Sequence, residues 1–128
     1  MSLAHTNTHP SAAATGVTAP AGFAAAGVPA GLKSTGKNDV VVVKNLGPQF
    51  TAAGVFTSNR VAAAPVHWSK QVLADGRIDA VVLNSGGANA CTGAEGFANT
   101  HKTAEYAAQL LSVSAGDVAV ASTGLIGM

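Results

Sequence analysis

Ile78-Asp79-Ala80-Val81-Val82-Leu83-Asn84-Ser85-Gly86-Gly87-Ala88-Asn89-Ala90-Cys91-Thr92-Gly93 is the stretch on which the fold turns. Ile78–Leu83 is a short apolar run closed by turn-forming residues, which predicts a strand. Thr92-Gly93-Ala94-Glu95 has the spacing of a capping box, so a helix is expected to start there with Glu95 reaching back to the cap. Ala104, Ala107, Ala108 and Leu111 then recur at i, i+3, i+4 and i+7, a core-facing stripe that carries the helix to about Leu111. His101 and Lys102 fall off that stripe and are expected in solvent. Ser114-Ala115-Gly116-Asp117 is a turn, and Val118–Ser122 is a further strand. Strand, helix and strand in this order make a βαβ unit, whose two strands run parallel with a right-handed crossover.

Upstream, Val40-Val41-Val42-Val43 predicts a buried strand, with Asn38-Asp39 before it as a turn. Thr51–Thr57 predicts another strand, paired with Val40–Lys44 as a hairpin across the Gly47-Pro48 turn. Ala24–Leu32 is small and Gly-interrupted, an irregular segment or a short edge strand. Pro65 suits the first turn of a helix over Val66 to about Ala74, and Asp75-Gly76 ends it. His67 and Trp68 lie on that helix and are read as packing residues. An antiparallel hairpin joined to a parallel unit gives an α/β class with a mixed sheet. Residues 1–15 are polar, small and without period, and are expected to be a disordered lead to a folded portion over 16–128. His5 and His9 in that lead are spaced as ligands on a helix face, but Pro10 argues against the helix, and solvation is the expected state.

Composition narrows the function classes. Hydrophobic residues are 48% of the chain, yet only 5% are aromatic, so the core is built from Ala and Val at close backbone distances. Charged residues are 10%, against about 25% in ordinary soluble domains. That deficit fits a chain that buries much of its outside against a partner. A net charge of +1 points to neither nucleic acid nor an acidic membrane. Cys91 is the single cysteine, which rules out an internal disulfide and a Cys-based zinc site and suits a reducing, cytoplasmic setting. No apolar run approaches a membrane span, and no basic region followed by an apolar stretch opens the chain. Gly31-Leu32-Lys33-Ser34-Thr35-Gly36-Lys37 imitates a phosphate loop. Asn38 stands where the magnesium-binding hydroxyl belongs, and a strand rather than a helix follows, so nucleotide binding is rejected.

Three stretches remain as carriers of chemistry. Ser122-Thr123-Gly124 ends a strand with hydroxyls and a glycine, either a plain turn or a place where a hydroxyl and a backbone N–H meet an anionic oxygen. Asn84–Asn89 is either a structural turn or a nest of N–H groups for a small anion. Extended over Asn84–Thr92, the second alternative would make the chain a non-catalytic anion-binding module. Cys91 as a nucleophile would need a base, and only His67 and His101 are candidates, so it is read as a small buried residue. The carboxylates Asp39, Asp75, Asp79, Glu95, Glu105 and Asp117 are scattered and form no paired or metal-ligating motif.

Four ordered blocks carry a resemblance. They are Gly16–Phe23 with Ala25–Val28 and Ala30–Lys33, then Val55–Arg60 with Ala63–Val66, then Leu83–Gly93, then Ser122–Gly127. Over residues 16–128 the sequence is similar to the ornithine acetyltransferase family, the bifunctional glutamate N-acetyltransferases of arginine biosynthesis. The resemblance implies a layered αββα architecture and a precursor that cleaves itself before a threonine, which becomes the nucleophile at the start of a β chain. It implies acetyl transfer from N2-acetylornithine to glutamate through an acetyl-threonine, without a cofactor or metal, and with acetyl-CoA as co-substrate where the enzyme is bifunctional. It assigns the oxyanion hole to the Thr123 hydroxyl and the Gly124 N–H. The nucleophile and most substrate contacts are expected downstream of residue 128, so this chain is expected to be an α-chain portion that pairs with its β chain as an α2β2 heterotetramer. Position 87 is Gly where many relatives have Asn, a change a turn tolerates.

Overall fold

The computed structural model describes residues 16–127. The expected lead over 1–15, with His5 and His9, lies outside the described residues. Four strands form one mixed sheet in the spatial order β1 (Phe23–Val28), β2 (Val40–Asn45), β3 (Ala80–Ala88), β4 (Val118–Ile126). β1–β2 and β2–β3 are antiparallel, and β3–β4 is parallel. Helix α1 spans Ala64–Val72 and runs into a 3₁₀ turn at Leu73–Asp75, while helix α2 spans Gly93–Leu111. The α/β class and the mixed sheet are as the sequence predicts.

The partner of the β2 hairpin is different. β1 occupies that edge in register from Phe23↔Asn45 to Val28↔Val40. Thr51–Thr57 is not a strand; it contributes a single bridge, Thr51↔Arg77, and Val55 is 99% exposed. The β-branched residues there suggested pairing, but the β2 edge is already filled by the small residues of β1. β2 is half-buried rather than buried, because only one face of the sheet is covered. Val42, Val82 and Val120 share the covered face through the β2–β3–β4 register and pack with Trp68, Ala104 and Ala108. Val41, Leu83 and Ala121 share the other face, where Leu83 is 37% exposed.

Both strands of the βαβ unit run past their predicted ends. Asn84–Ala88, expected as loop, pairs in parallel with Ser122–Ile126. Ser and Gly are poor strand formers, yet their small size lets the two backbones approach closely. α1 covers the outer edge of β4 and blunts it. The Ser69 hydroxyl donates to the Val120 carbonyl at 2.8 Å and accepts from the Val120 N–H at 3.0 Å, and the Trp68 indole N–H donates to the Val118 carbonyl at 2.8 Å. Gly76 stops the first helical segment at φ 75°, as expected. On α2, Ala104, Ala107 and Ala108 are buried with Thr100 and Gly96, and Lys102 is exposed. His101 is exposed too, with one ring face on Trp68 at 4.7 Å and Glu105 at 3.6 Å. The capping box does not form. The Thr92 hydroxyl turns to the Asn89 side-chain carbonyl, and Thr92 makes no side-chain cap.

Candidate active site

Strand β4 carries Ser122, Thr123 and Gly124 to the end of the parallel pair, opposite Asn84, Ser85 and Gly86. The C-terminal ends of parallel strands are where α/β folds hold their ligands. Alternation divides the three residues. Thr123 has the parity of Ala121, on the uncovered face, and lines a cleft of about 340 Å³ with Asn38, Asp39, Val41, Leu83 and Ser85. Gly124 has the parity of Val120, whose N–H and C=O point outward from β3. Thr123 and Gly124 are thus neighbours at the end of the strand, and both residues are exposed.

Ser122 faces inward and binds the corner to the rest of the fold. Its hydroxyl accepts from the Asn89 N–H at 3.0 Å and donates to the Gly87 carbonyl at 3.2 Å. Asn89 in turn donates through its side-chain amide to the Gly96 carbonyl at 2.7 Å and to the Thr100 hydroxyl at 2.9 Å. The end of β4, the end of β3 and the first turns of α2 are thus one network.

That network also takes up donors on which an anion nest over Asn84–Thr92 would draw. The Ser85 N–H is spent on the Asp39 carbonyl, the Asn89 N–H on Ser122 and the Ala90 N–H on the Ala88 carbonyl. Asn84 donates to the Gly87 carbonyl at 2.9 Å. These donors serve the fold and are not free for an anion. The phosphate-loop imitation is likewise a connection, between β1 and β2, and its N–H groups at Ala30 and Lys33 donate to the Asp39 carboxylate.

Asp39 is the residue that sequence reading missed. Read as a turn, it is 2% exposed. Backbone N–H donors, Ala30 first and then Lys33, hold its carboxyl below the ordinary range against the opposing effect of burial. Cys91, read as buried, is exposed at φ 58° in the turn between β3 and α2, on a small hollow of about 190 Å³ that His67 and Phe97 also line. Asp79 and Asp117 both face Arg77, at 2.7 and 3.7 Å. Among the described residues no group of three His, Cys, Asp or Glu side chains is placed to hold a metal ion.

Fold and site together define a class: a mixed-sheet α/β protein with a hydroxyl–glycine pair at the end of a parallel strand, beside an open cleft. Residues 24–128 match the ArgJ family, and the chain belongs to it. It is 64% identical over 112 residues to the arginine biosynthesis bifunctional protein ArgJ of Streptomyces coelicolor, covering 88% of this chain and 29% of that protein. The ArgJ of Mycobacterium bovis is 62% identical over 119 residues, covering 89% and 30%. The chain therefore spans under a third of the length of these relatives. The crystal structure of the Mycobacterium tuberculosis ornithine acetyltransferase complexed with ornithine superposes with a TM-score of 0.87 at 62% identity, covering 88% of this chain and 61% of that one. The Bacillus halodurans ArgJ structure does so with a TM-score of 0.80 at 34% identity, covering 84% and 56%.

Proposed function

We propose that this chain is the α-chain portion of an ornithine acetyltransferase and supplies its oxyanion hole through the Thr123 hydroxyl and the Gly124 N–H. The observation that supports the proposal is the register that brings Thr123 and Gly124 to the end of the parallel pair, with Thr123 on the lining of the cleft. Membership of the ArgJ family supports the reaction. A threonine hydroxyl of the β chain attacks the acetyl carbonyl of N2-acetylornithine. Its proton passes through the threonine's own amino group to the leaving amine. The C–N bond breaks, ornithine departs, and an acetyl ester of the threonine remains. The amine of glutamate then attacks that ester, giving N-acetylglutamate and the free threonine. Both tetrahedral intermediates place negative charge on the same carbonyl oxygen, which is where two fixed donors lower the barrier.

No cofactor is needed for this transfer, and a bifunctional enzyme would also take acetyl-CoA as acetyl donor. The β chain is proposed to come from the same self-cleaved precursor, to pair as α2β2, and to cover the open sheet face on which Val41, Leu83 and Ala121 lie. No helix of the described residues is long and apolar enough to cross a membrane, and a cytoplasmic location is proposed with the pathway. Intact mass and N-terminal sequencing of the purified full-length protein test the proposal. A second chain that begins with threonine and gains an acetyl group from acetylornithine is expected. A single uncleaved chain that stays unmodified would refute it.

A further inference from the structure

Gly86 and Gly124 face each other across the parallel pair in conformations that only glycine adopts readily, φ 118° and φ 130°. Such positions are also the least constrained by their own chemistry, so a neighbour must fix them. The approach between them is close. A Cβ at Gly124 would lie 2.7 Å from the Gly86 carbonyl oxygen and the Gly87 nitrogen, and a Cβ at Gly86 would lie 2.8 Å from the Leu32 carbonyl oxygen. Three backbones are therefore stacked, Leu32 on Gly86 on Gly124, with no side chain between them.

Leu32 belongs to the irregular connection between β1 and β2, which has no ladder of its own to hold it. Asp39 supplies the anchor. Its carboxylate accepts from the Ala30 and Lys33 N–H groups on either side of Leu32, the second at 2.9 Å. Its own N–H donates to the Val28 carbonyl at 3.1 Å, and its carbonyl accepts from the Ser85 N–H at 2.8 Å. One buried residue thus ties the loop to β3 at Ser85, the residue that opposes Thr123. Among the described residues no Lys or Arg pairs with this carboxylate, so its burial depends on the loop amides. An acceptor-only group can take both, whereas an amide in its place must present N–H to one of them.

We propose that Asp39 is a positioning residue for the oxyanion hole: by holding the Ala30–Lys33 loop it presses Leu32 onto Gly86 and Gly86 onto Gly124, and so fixes where the Gly124 N–H points. This rests on the proposed function above. The test uses the full-length, self-cleaved enzyme, with rates counted per acetylated threonine so that misfolded material drops out. Asp39→Asn is expected to lower kcat by about tenfold and Asp39→Ala by about a hundredfold, the scale of an ångström misplacement, with KM for acetylornithine within about twofold of the parent. Unchanged kcat with a lowered melting temperature would overturn the proposal, since Asp39 would then serve stability alone. Failure of Asp39→Asn to assemble would overturn it too. Thr123→Ala run in parallel separates the two layers. If it is slow while Asp39→Asn is normal, only the role of Asp39 fails; if it turns over normally, the oxyanion-hole assignment fails.

Discussion

Gly124→Ala is the sharpest perturbation that the strand end offers. An alanine there must hold φ 130°, outside the L-residue regions, at a cost of about 1–3 kcal/mol. Its Cβ would also sit 2.5 Å from the Gly86 carbonyl carbon, against 3.4 Å for ordinary contact, so the strands must part by about 0.9 Å. Overpacking of that kind costs a further ~1–3 kcal/mol. The same displacement carries the Gly124 N–H off its target, and loss of one such donor lowers kcat by about two to three orders of magnitude. The expected result in the full-length enzyme is a depressed thermal midpoint together with that fall in kcat. Gly87→Ala, one residue along the facing strand, is the control. Nothing lies within 4 Å of a Cβ there, and stability should stay within about 0.5 kcal/mol of the parent. Gly124→Ala with parental kcat, or Gly87→Ala with an equal loss, would refute the close-packed strand end.

Three further outcomes follow from the packing. Ser69→Ala strips the Val120 N–H and C=O of their partner at a buried edge, and at ~1–3 kcal/mol for each unsatisfied group, chemical denaturation should show a loss of about 2–6 kcal/mol. Asn89→Ala removes its bonds to Gly96, Thr100 and Thr92 at ~1 kcal/mol each, so a loss of about 2–3 kcal/mol is expected by the same measurement, with hydrogen exchange faster in the first turns of α2. The carboxyl of Asp39 is lowered in the folded state, so its contribution to stability is complete above the unfolded value of about 3.9 and fades as pH falls through the lower folded value. Denaturation midpoints at pH 5 and pH 3 should therefore fall more steeply in the parent than in Asp39→Asn.

Much of this architecture is legible in the residues, and the failures have physical causes. The Ala104–Leu111 stripe and the apolar runs at Ile78 and Val118 fix the βαβ unit, because burial on one face leaves a periodic trace. Ser85-Gly86-Gly87 leaves none. Its propensity says loop, and only pairing with Thr123-Gly124-Leu125 makes it a strand. Val55-Phe56-Thr57 errs in the opposite sense, having strand propensity while both edges of β2 are already paired. Asp39 looks like half of an Asn-Asp turn, because the amides that hold it come from Ala30 and Lys33 and meet it only after the chain folds back. Thr123 and Gly124 are ordinary turn residues taken alone. Family resemblance singled them out, and the register shows what they face.

The most direct test of the central claim is the turnover of Thr123→Ala and Thr123→Ser in the self-cleaved full-length enzyme. The hydroxyl, not the strand, is what the oxyanion needs. Thr123→Ala should therefore lose about two to three orders of magnitude in kcat with KM for acetylornithine little changed, and Thr123→Ser should recover most of it. Equal rates in Thr123→Ala and the parent would contradict the assignment of the oxyanion hole to this chain.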